Sequence, residues 1–281
     1  MAYQTVLVHL DLDPHCAARV ACAATLVAPG GVLVGAAMSG VSRRLYRGVL
    51  AADSDAYLAL HMQFLREQAN AALAAFEQQV AQPGMPAHDA RLLDDEAASG
   101  LSLEARVADL LVLSHPETVS EMIAQVLPQA GRPVLLLPAL AAMAAMAPIG
   151  KRVLVAWDAS REAGRALAGA LPILRQAEAV ELVVCEAESE EGVTRDVRMA
   201  DPLPWLAHHG VQATLRVHAV AGGGRFHRDV IGEALLSVAA AGKFDLLVMG
   251  AYAHSRLRET FLGGVTRTVL ARMNLPVLLE H

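Results

Sequence analysis

The sequence of 281 residues has no uninterrupted apolar run of about 18 residues, the length needed to span a bilayer, although its mean hydropathy is +0.38. Its longest apolar stretch, Pro133 to Ile149, is broken by Pro138 and Pro148, so no membrane span is expected. Met1 to Thr5 shows no basic region ahead of a hydrophobic one; no signal peptide is read, and the expected compartment is the cytoplasm. Cysteine is scarce. Cys16, Cys22 and Cys185 are odd in number and lack paired metal-ligand spacing, which gives no disulfide framework and suits a reducing compartment. Aromatics make up 4% of the chain against 54% hydrophobic residues, so the core is expected to be Ala, Val and Leu. Positive charge is also short: 23 Lys+Arg against 29 Asp+Glu leave −6, which argues against nucleic acid as the main partner. The deficit lies in residues 1–147, with 8 Arg, no Lys and 14 Asp+Glu, whereas 148–281 hold 15 of each sign. An anionic ligand is expected to prefer the second half.

What the chain does have is self-similarity. Its length predicts roughly two domains, and Val6-Leu7-Val8-His9-Leu10-Asp11 matches Val153-Leu154-Val155-Ala156-Trp157-Asp158 at an offset of 147. Asp109 to Ser114 matches Asp245 to Gly250, offset 136, and Pro133 to Leu136 matches Pro276 to Leu279, offset 143. Ordered matches with drifting offsets indicate duplication followed by insertion and deletion. The expected domains are 1–147 and 148–281, separated within an Ala/Met-rich connector. Each matched run is short, continuous and rich in Val and Leu, the pattern of a strand buried on both faces of a parallel sheet.

Helical periodicity lies between the strands. Leu58, Met62, Leu65, Ala69, Leu73, Phe76 and Val80 recur every three or four residues, predicting a long helix from near Asp53 to Pro83. Ser160 is placed to cap a helix carrying Ala163, Leu167, Leu171 and Leu174, which Pro172 should kink. Further strands are expected at Val32 to Ala37, Ala87 to Leu92, Val180 to Cys185 and Ala213 to Val217. Each half then reads β-α-β-α-β-α-β-α-β: an α/β protein of two doubly wound open parallel sheets in tandem.

Such sheets bind ligands beyond the carboxyl ends of their strands, where strand order reverses. With strand order 3-2-1-4-5, Asp158 ends strand one beside Gly250, at the end of strand four. Asp158 can accept hydrogen bonds from a base amino group or a ribose hydroxyl, or it can serve the start of the next helix. After Gly250 the chain carries Ser255, Arg256 and Arg258, then Gly263-Gly264 opening a helix that includes Val265, Thr266 and Arg267. Amide groups and the dipole at that helix start suit a phosphate.

These residues resemble the nucleotide motif G-x2-G-x9-G-[ST] of tandem universal stress proteins. Gly250 and Gly263 match its first and third glycines; Ala253 replaces the second, and Gly264 the Ser/Thr. Asp158 and Asp11 match the Asp that closes strand one in that family, and Leu275 to Leu279 resembles its terminal strand. The resemblance implies an adenine nucleotide α-hydrolase-like fold and an adenine nucleotide (ATP, ADP or AMP, with Mg alongside it) in the second half. Asp158 would contact base or ribose; Gly250, Ala253, His254, Ser255 and Arg256 would line the phosphates; Gly263, Gly264, Val265 and Thr266 would hold their far end. It also implies that the last strands of the two halves pair as a pseudo-dimer, and a homodimer beyond that. The replacements cost a donor and add a methyl, with Thr266 and Ser255 offering hydroxyls instead. The first half is shorter here: from Ser114 to Pro133 is 19 residues, against 26 from Gly250 to Pro276. Pro116 and Glu117 suit phosphate poorly, so no nucleotide is expected there.

His9, Asp11, Asp13 and His15 are zinc-ligand types at close spacing, although Asp13-Pro14 equally describes a helix start. His208-His209 sits at an expected helix end, Gly222-Gly223-Gly224-Arg225 reads as a connector, and Glu186 to Glu191 as a solvated run. No nucleophile elbow or acid/base pair emerges. The readings carried forward are a nucleotide-binding stress regulator with at most slow ATP hydrolysis, an interaction scaffold with decayed sites, a metal or small-ligand binder, and an enzyme of the related adenine-nucleotide hydrolase or ligase kind.

Overall fold

The computed structural model describes residues 3–40, 56–115, 121–138, 149–187, 201–220, 227–252 and 264–281. In the first half these form β1 (Tyr3–Leu10), α1 (Cys16–Thr25), β2 (Val27–Met38), α2 (Ala56–Val80), β3 (Ala87–Leu93), α3 (Ala97–Ala105), β4 (Leu110–Ser114), α4 (Glu121–Gln129) and β5 (Val134–Leu137). The second half repeats the alternation with β6 (Arg152–Ala156), α5 (Arg161–Gly169), the short α6 (Leu171–Leu174), β7 (Ala179–Ala187), α7 (Leu203–His208), β8 (Thr214–Val220), α8 (His227–Ala241), β9 (Leu246–Gly250), α9 (Gly264–Arg272) and β10 (Val277–Glu280). The expected α/β alternation is present in both. The start expected near Asp53 lies outside the described residues.

Two compact units emerge from the contacts: residues 2–114 with 129–132, and 115–128 with 133–281. This division differs from the sequence repeat because β5, the last strand of the first half, pairs antiparallel with β10, Leu135 opposite Leu278. In the first unit the strand order is β3-β2-β1-β4, all parallel. In the second it is β5-β10-β9-β6-β7-β8, parallel apart from the β5–β10 pair. Strand order reverses between β1 and β4 and again between β6 and β9, where the carboxyl ends leave room for a ligand.

Leu110–Leu113, Val134–Leu137, Leu246–Val248 and Val277–Leu279 are all completely buried. Unbroken Val/Leu runs therefore cover both faces of the central strands, as their composition requires. The outer strand β8 instead alternates, with Thr214 and Arg216 exposed. Ser160 caps α5, its hydroxyl accepting the Ala163 N–H at 3.1 Å. Pro172 does more than kink this segment: α5 stops at Gly169 and α6 starts afresh with Pro172 in its first turn, where no amide donor is needed.

The repeat extends to hydrogen bonds. Asp245 Oδ2 accepts the amides of Lys151 at 3.1 Å and Arg152 at 3.0 Å, and Oδ1 accepts that of Gly150 at 2.8 Å. At the corresponding place in the first half, Asp109 Oδ2 accepts the amides of Gln4 and Thr5, both at 2.9 Å. The aspartates that open the β4 and β9 sequence matches thus tie down the amino ends of β1 and β6.

Candidate functional site

At the carboxyl end of β6 the exposed Asp158 turns back on the chain, its Oδ1 accepting the Ser160 amide at 2.9 Å. Ala159 between them adopts φ 57. Asp158 therefore shapes the turn, while Ser160 caps α5. Beside it, Gly250 ends β9. A Cβ there would lie 2.6 Å from the Ala163 amide nitrogen and 2.7 Å from the Glu162 carbonyl carbon. The close approach this glycine permits is that of the first turn of α5, a protein contact.

Beyond Gly250, the Ala251 amide donates to the Glu280 carbonyl at 2.8 Å. Tyr252 is buried with φ 65, a conformation that costs a side chain of this size on the order of 1 kcal/mol. Its amide is 3.5 Å from Thr266 Oγ1, its ring meets His281 edge-on at 5.6 Å between centroids, and its hydroxyl is 3.5 Å from the Ala124 carbonyl on α4. Burial pushes the phenol up to about 12. Thr266, expected to offer a hydroxyl to the phosphates, is buried with that hydroxyl 3.5 Å from the Tyr252 amide. Gly264 and Val265 open α9 half-buried. Ala253, His254, Ser255, Arg256 and Gly263 lie outside the described residues, as do Arg258 and Gly222 to Arg225.

Two charged features were missed. Glu162 is buried in the first turn of α5 against Gly250. Burial opposes its charge, but hydrogen bonds from Arg161 and from its own amide, with the charges of Arg161 and His281, hold its carboxyl below the usual range. The Ser160 cap followed by an acid was the available signal. Arg267 donates to Asp229 on α8 at 3.2 Å, and Thr268 donates to the same oxygen at 3.0 Å. Here α8 and α9 approach closely, since a Cβ on Gly232 would lie 2.7 Å from the Thr268 Cβ.

In the first half, the four zinc-ligand types divide into pairs. His15 Nδ1 pairs with Asp13 Oδ1, and His9 Nδ1 lies 3.4 Å from Asp11 Oδ2, while Asp11 Oδ1 accepts from the Arg19 guanidinium at 2.7 Å. Burial first, opposed by Asp11 and assisted by Arg19, lowers the His9 imidazole to about 4. A guanidinium at this position repels a cation, and among the described residues no three His, Cys, Asp or Glu side chains gather to hold one. Burial pushes the Cys22 thiol up to about 12 and that of Cys185 to about 11, so neither supplies a thiolate at neutral pH. No described helix is long and apolar enough to cross a membrane.

Residues 150–280 match the family model "Universal stress protein family". The C-terminal half is a universal stress protein domain. Over the whole chain the fold is similar to a universal stress protein from Archaeoglobus fulgidus, with TM-score 0.70, 15% identity and coverage of 98% of this chain and 95% of that one. It is also similar to a putative universal stress protein from Pseudomonas aeruginosa, with TM-score 0.60, 17% identity and coverage of 99% and 93%. At these identities the likeness is one of fold, and it covers the first half as well as the second. No curated protein matches the sequence significantly. The 3-2-1-4-5 order assumed for a doubly wound sheet holds in the universal stress domain, where β8-β7-β6-β9-β10 are neighbours in that order.

Proposed function

We propose that the chain is a tandem of two universal stress domains, 1–147 and 148–281, and that the second binds an adenine nucleotide at the carboxyl ends of β6 and β9. The observation that carries this reading is the switch point itself. Asp158 and Gly250 end neighbouring strands there, and the segment after Gly250 carries the partial family motif and leads to the amino end of α9. Asp158 is exposed, and a carboxylate is the acceptor a base amino group or ribose hydroxyl needs. Ala253, His254, Ser255 and Arg256 take the near phosphates in this reading, and Gly263, Gly264 and Val265 the far ones. Mg would accompany the phosphates. Thr266 contributes through Tyr252, since its hydroxyl already faces that amide.

The role is regulatory in this reading, because no base or nucleophile is assigned to turnover. The even charge of the second half supports an anionic ligand, and three free thiols support a cytoplasmic setting. Calorimetric titration with ATP, ADP and AMP tests it, with a homodimer checked by sedimentation. Saturable binding of one nucleotide per chain, weakened about tenfold in Asp158→Ala, supports the assignment. Absence of binding at millimolar nucleotide refutes it and leaves an interaction scaffold.

A further inference from the structure

The crevice of the first half is filled from within. Arg19, on α1, is 1% exposed, and each of its three guanidinium nitrogens donates. Nε donates to the His9 carbonyl at 2.8 Å, Nη1 to Ser114 Oγ at 2.7 Å and Nη2 to Asp11 Oδ1 at 2.7 Å. His9 and Asp11 belong to the end of β1 and the turn after it, and Ser114 ends β4. The guanidinium thus bridges the two strands at the point where strand order reverses.

The internal repeat gives the comparison. β1 and β4 pair Val6 with Leu110, and β6 and β9 pair Val153 with Leu246, the same register at the repeat offsets. Asp11 therefore corresponds to Asp158, Ser114 to Gly250 and Arg19 to Ala166. In the second half the small Ala166 is buried, and α5 closes directly on Gly250. In the first half an arginine and a serine hydroxyl occupy the same places. A buried guanidinium has to be neutralised and hydrogen-bonded, and this crevice supplies a carboxylate, a carbonyl and a hydroxyl at short range.

We infer that the crevice between the ends of β1 and β4 is a guanidinium site whose ligand is the chain's own Arg19. The first half carries its ligand covalently, and the chemistry of its crevice is selective for a planar cation bearing several donors. This does not rest on nucleotide binding by the second half. Asp11, which matches Asp158 in the repeat, commits one carboxylate oxygen to this guanidinium.

Chemical rescue tests the site. Arg19→Ala should lower the Tm of the N-terminal unit by roughly 5 °C or more, and millimolar methylguanidinium should raise it again. Equal concentrations of NaCl or methylammonium should not, and wild type should not respond. A folded Arg19→Ala protein with the wild-type Tm, or equal rescue by methylammonium, overturns the inference. If Arg19→Ala does not fold, Arg19→Lys and Asp11→Asn are combined. Asp11→Asn must cost more in the wild-type background than in the Arg19→Lys background, because an ammonium cannot bridge the three acceptors at once. Equal costs overturn the inference too.

Discussion

Gly250→Ala should destabilise the C-terminal half whether or not nucleotide is present. The new methyl would sit 2.6 Å from the Ala163 nitrogen and 2.7 Å from the Glu162 carbonyl carbon, both backbone atoms of the first turn of α5. A flexible side chain could swing aside, but this turn is held by the Ser160 cap and packs α5 against β9 and β10. Overpacking of this kind costs about 1–3 kcal/mol. The upper part of that range is expected because relief requires lifting the helix. Loss of its apolar cover would follow, since Ala163, Ala166 and Leu167 are all buried. Urea unfolding should be followed with probes in each half, because two compact units need not unfold in one transition. The C-terminal transition should move to lower urea in Gly250→Ala, with the N-terminal transition unchanged. A shift worth under about 0.5 kcal/mol in ligand-free protein would refute the packing argument and return this glycine to a role in ligand approach. Loss of nucleotide binding in this variant is accordingly no measure of ligand contact.

Asp245→Ala should cost about 2–4 kcal/mol in the second half and Asp109→Ala less in the first, because three amides leading into β6 lose a carboxylate in one case and two amides of β1 in the other; equal effects in urea melts would count against this role. The buried imidazole of His9 is held neutral in the fold, at about 4, whereas it titrates near 6.5 when unfolded. The unfolded chain therefore takes up the proton first. Stability should be unaffected above pH 6.5 and fall by roughly 3 kcal/mol between pH 6.5 and 4. His9→Gln should show a shallower acid slope, and identical slopes would refute the assignment. Tyr252→Phe should change stability by less than about 0.5 kcal/mol, the 3.5 Å hydroxyl contact being long, while Tyr252→Gly relieves the backbone yet loses the buried ring and should be net destabilising in thermal melts.

The strands, their order and the duplication were legible because continuous Val/Leu runs identify doubly buried strands and because Asp109 and Asp245 recur at their heads. The Ser160 cap was legible for a similar reason, its hydroxyl acting within three residues. What the sequence did not disclose depends on contacts between distant residues. Gly250 reads identically whether its missing Cβ makes room for a phosphate or for a helix, and only the 2.6 Å approach of α5 distinguishes the two. Thr266 reads as an available hydroxyl until the Tyr252 amide, 14 residues earlier, is found facing it.

Arg19 is the sharpest case. It precedes Val20 on α1, with Ala23 a turn further on, and both of those neighbours are buried. Periodicity places it on that buried face, yet an arginine there would be expected to extend its charge to solvent. Its burial needs Asp11 and Ser114 together, the second of them 95 residues away in sequence, and no local pattern pairs them. The repeat did contain a signal: aligning the halves at an offset of 147 sets Arg19 against Ala166, a cation against a methyl on an otherwise equivalent helix. A duplicated fold is its own comparison, so a change from small to charged at matched core positions marks where the two copies have parted in what they hold. Applied to the first half, that comparison locates the divergence at one side chain, where the missing length after Ser114 had suggested only the loss of a loop.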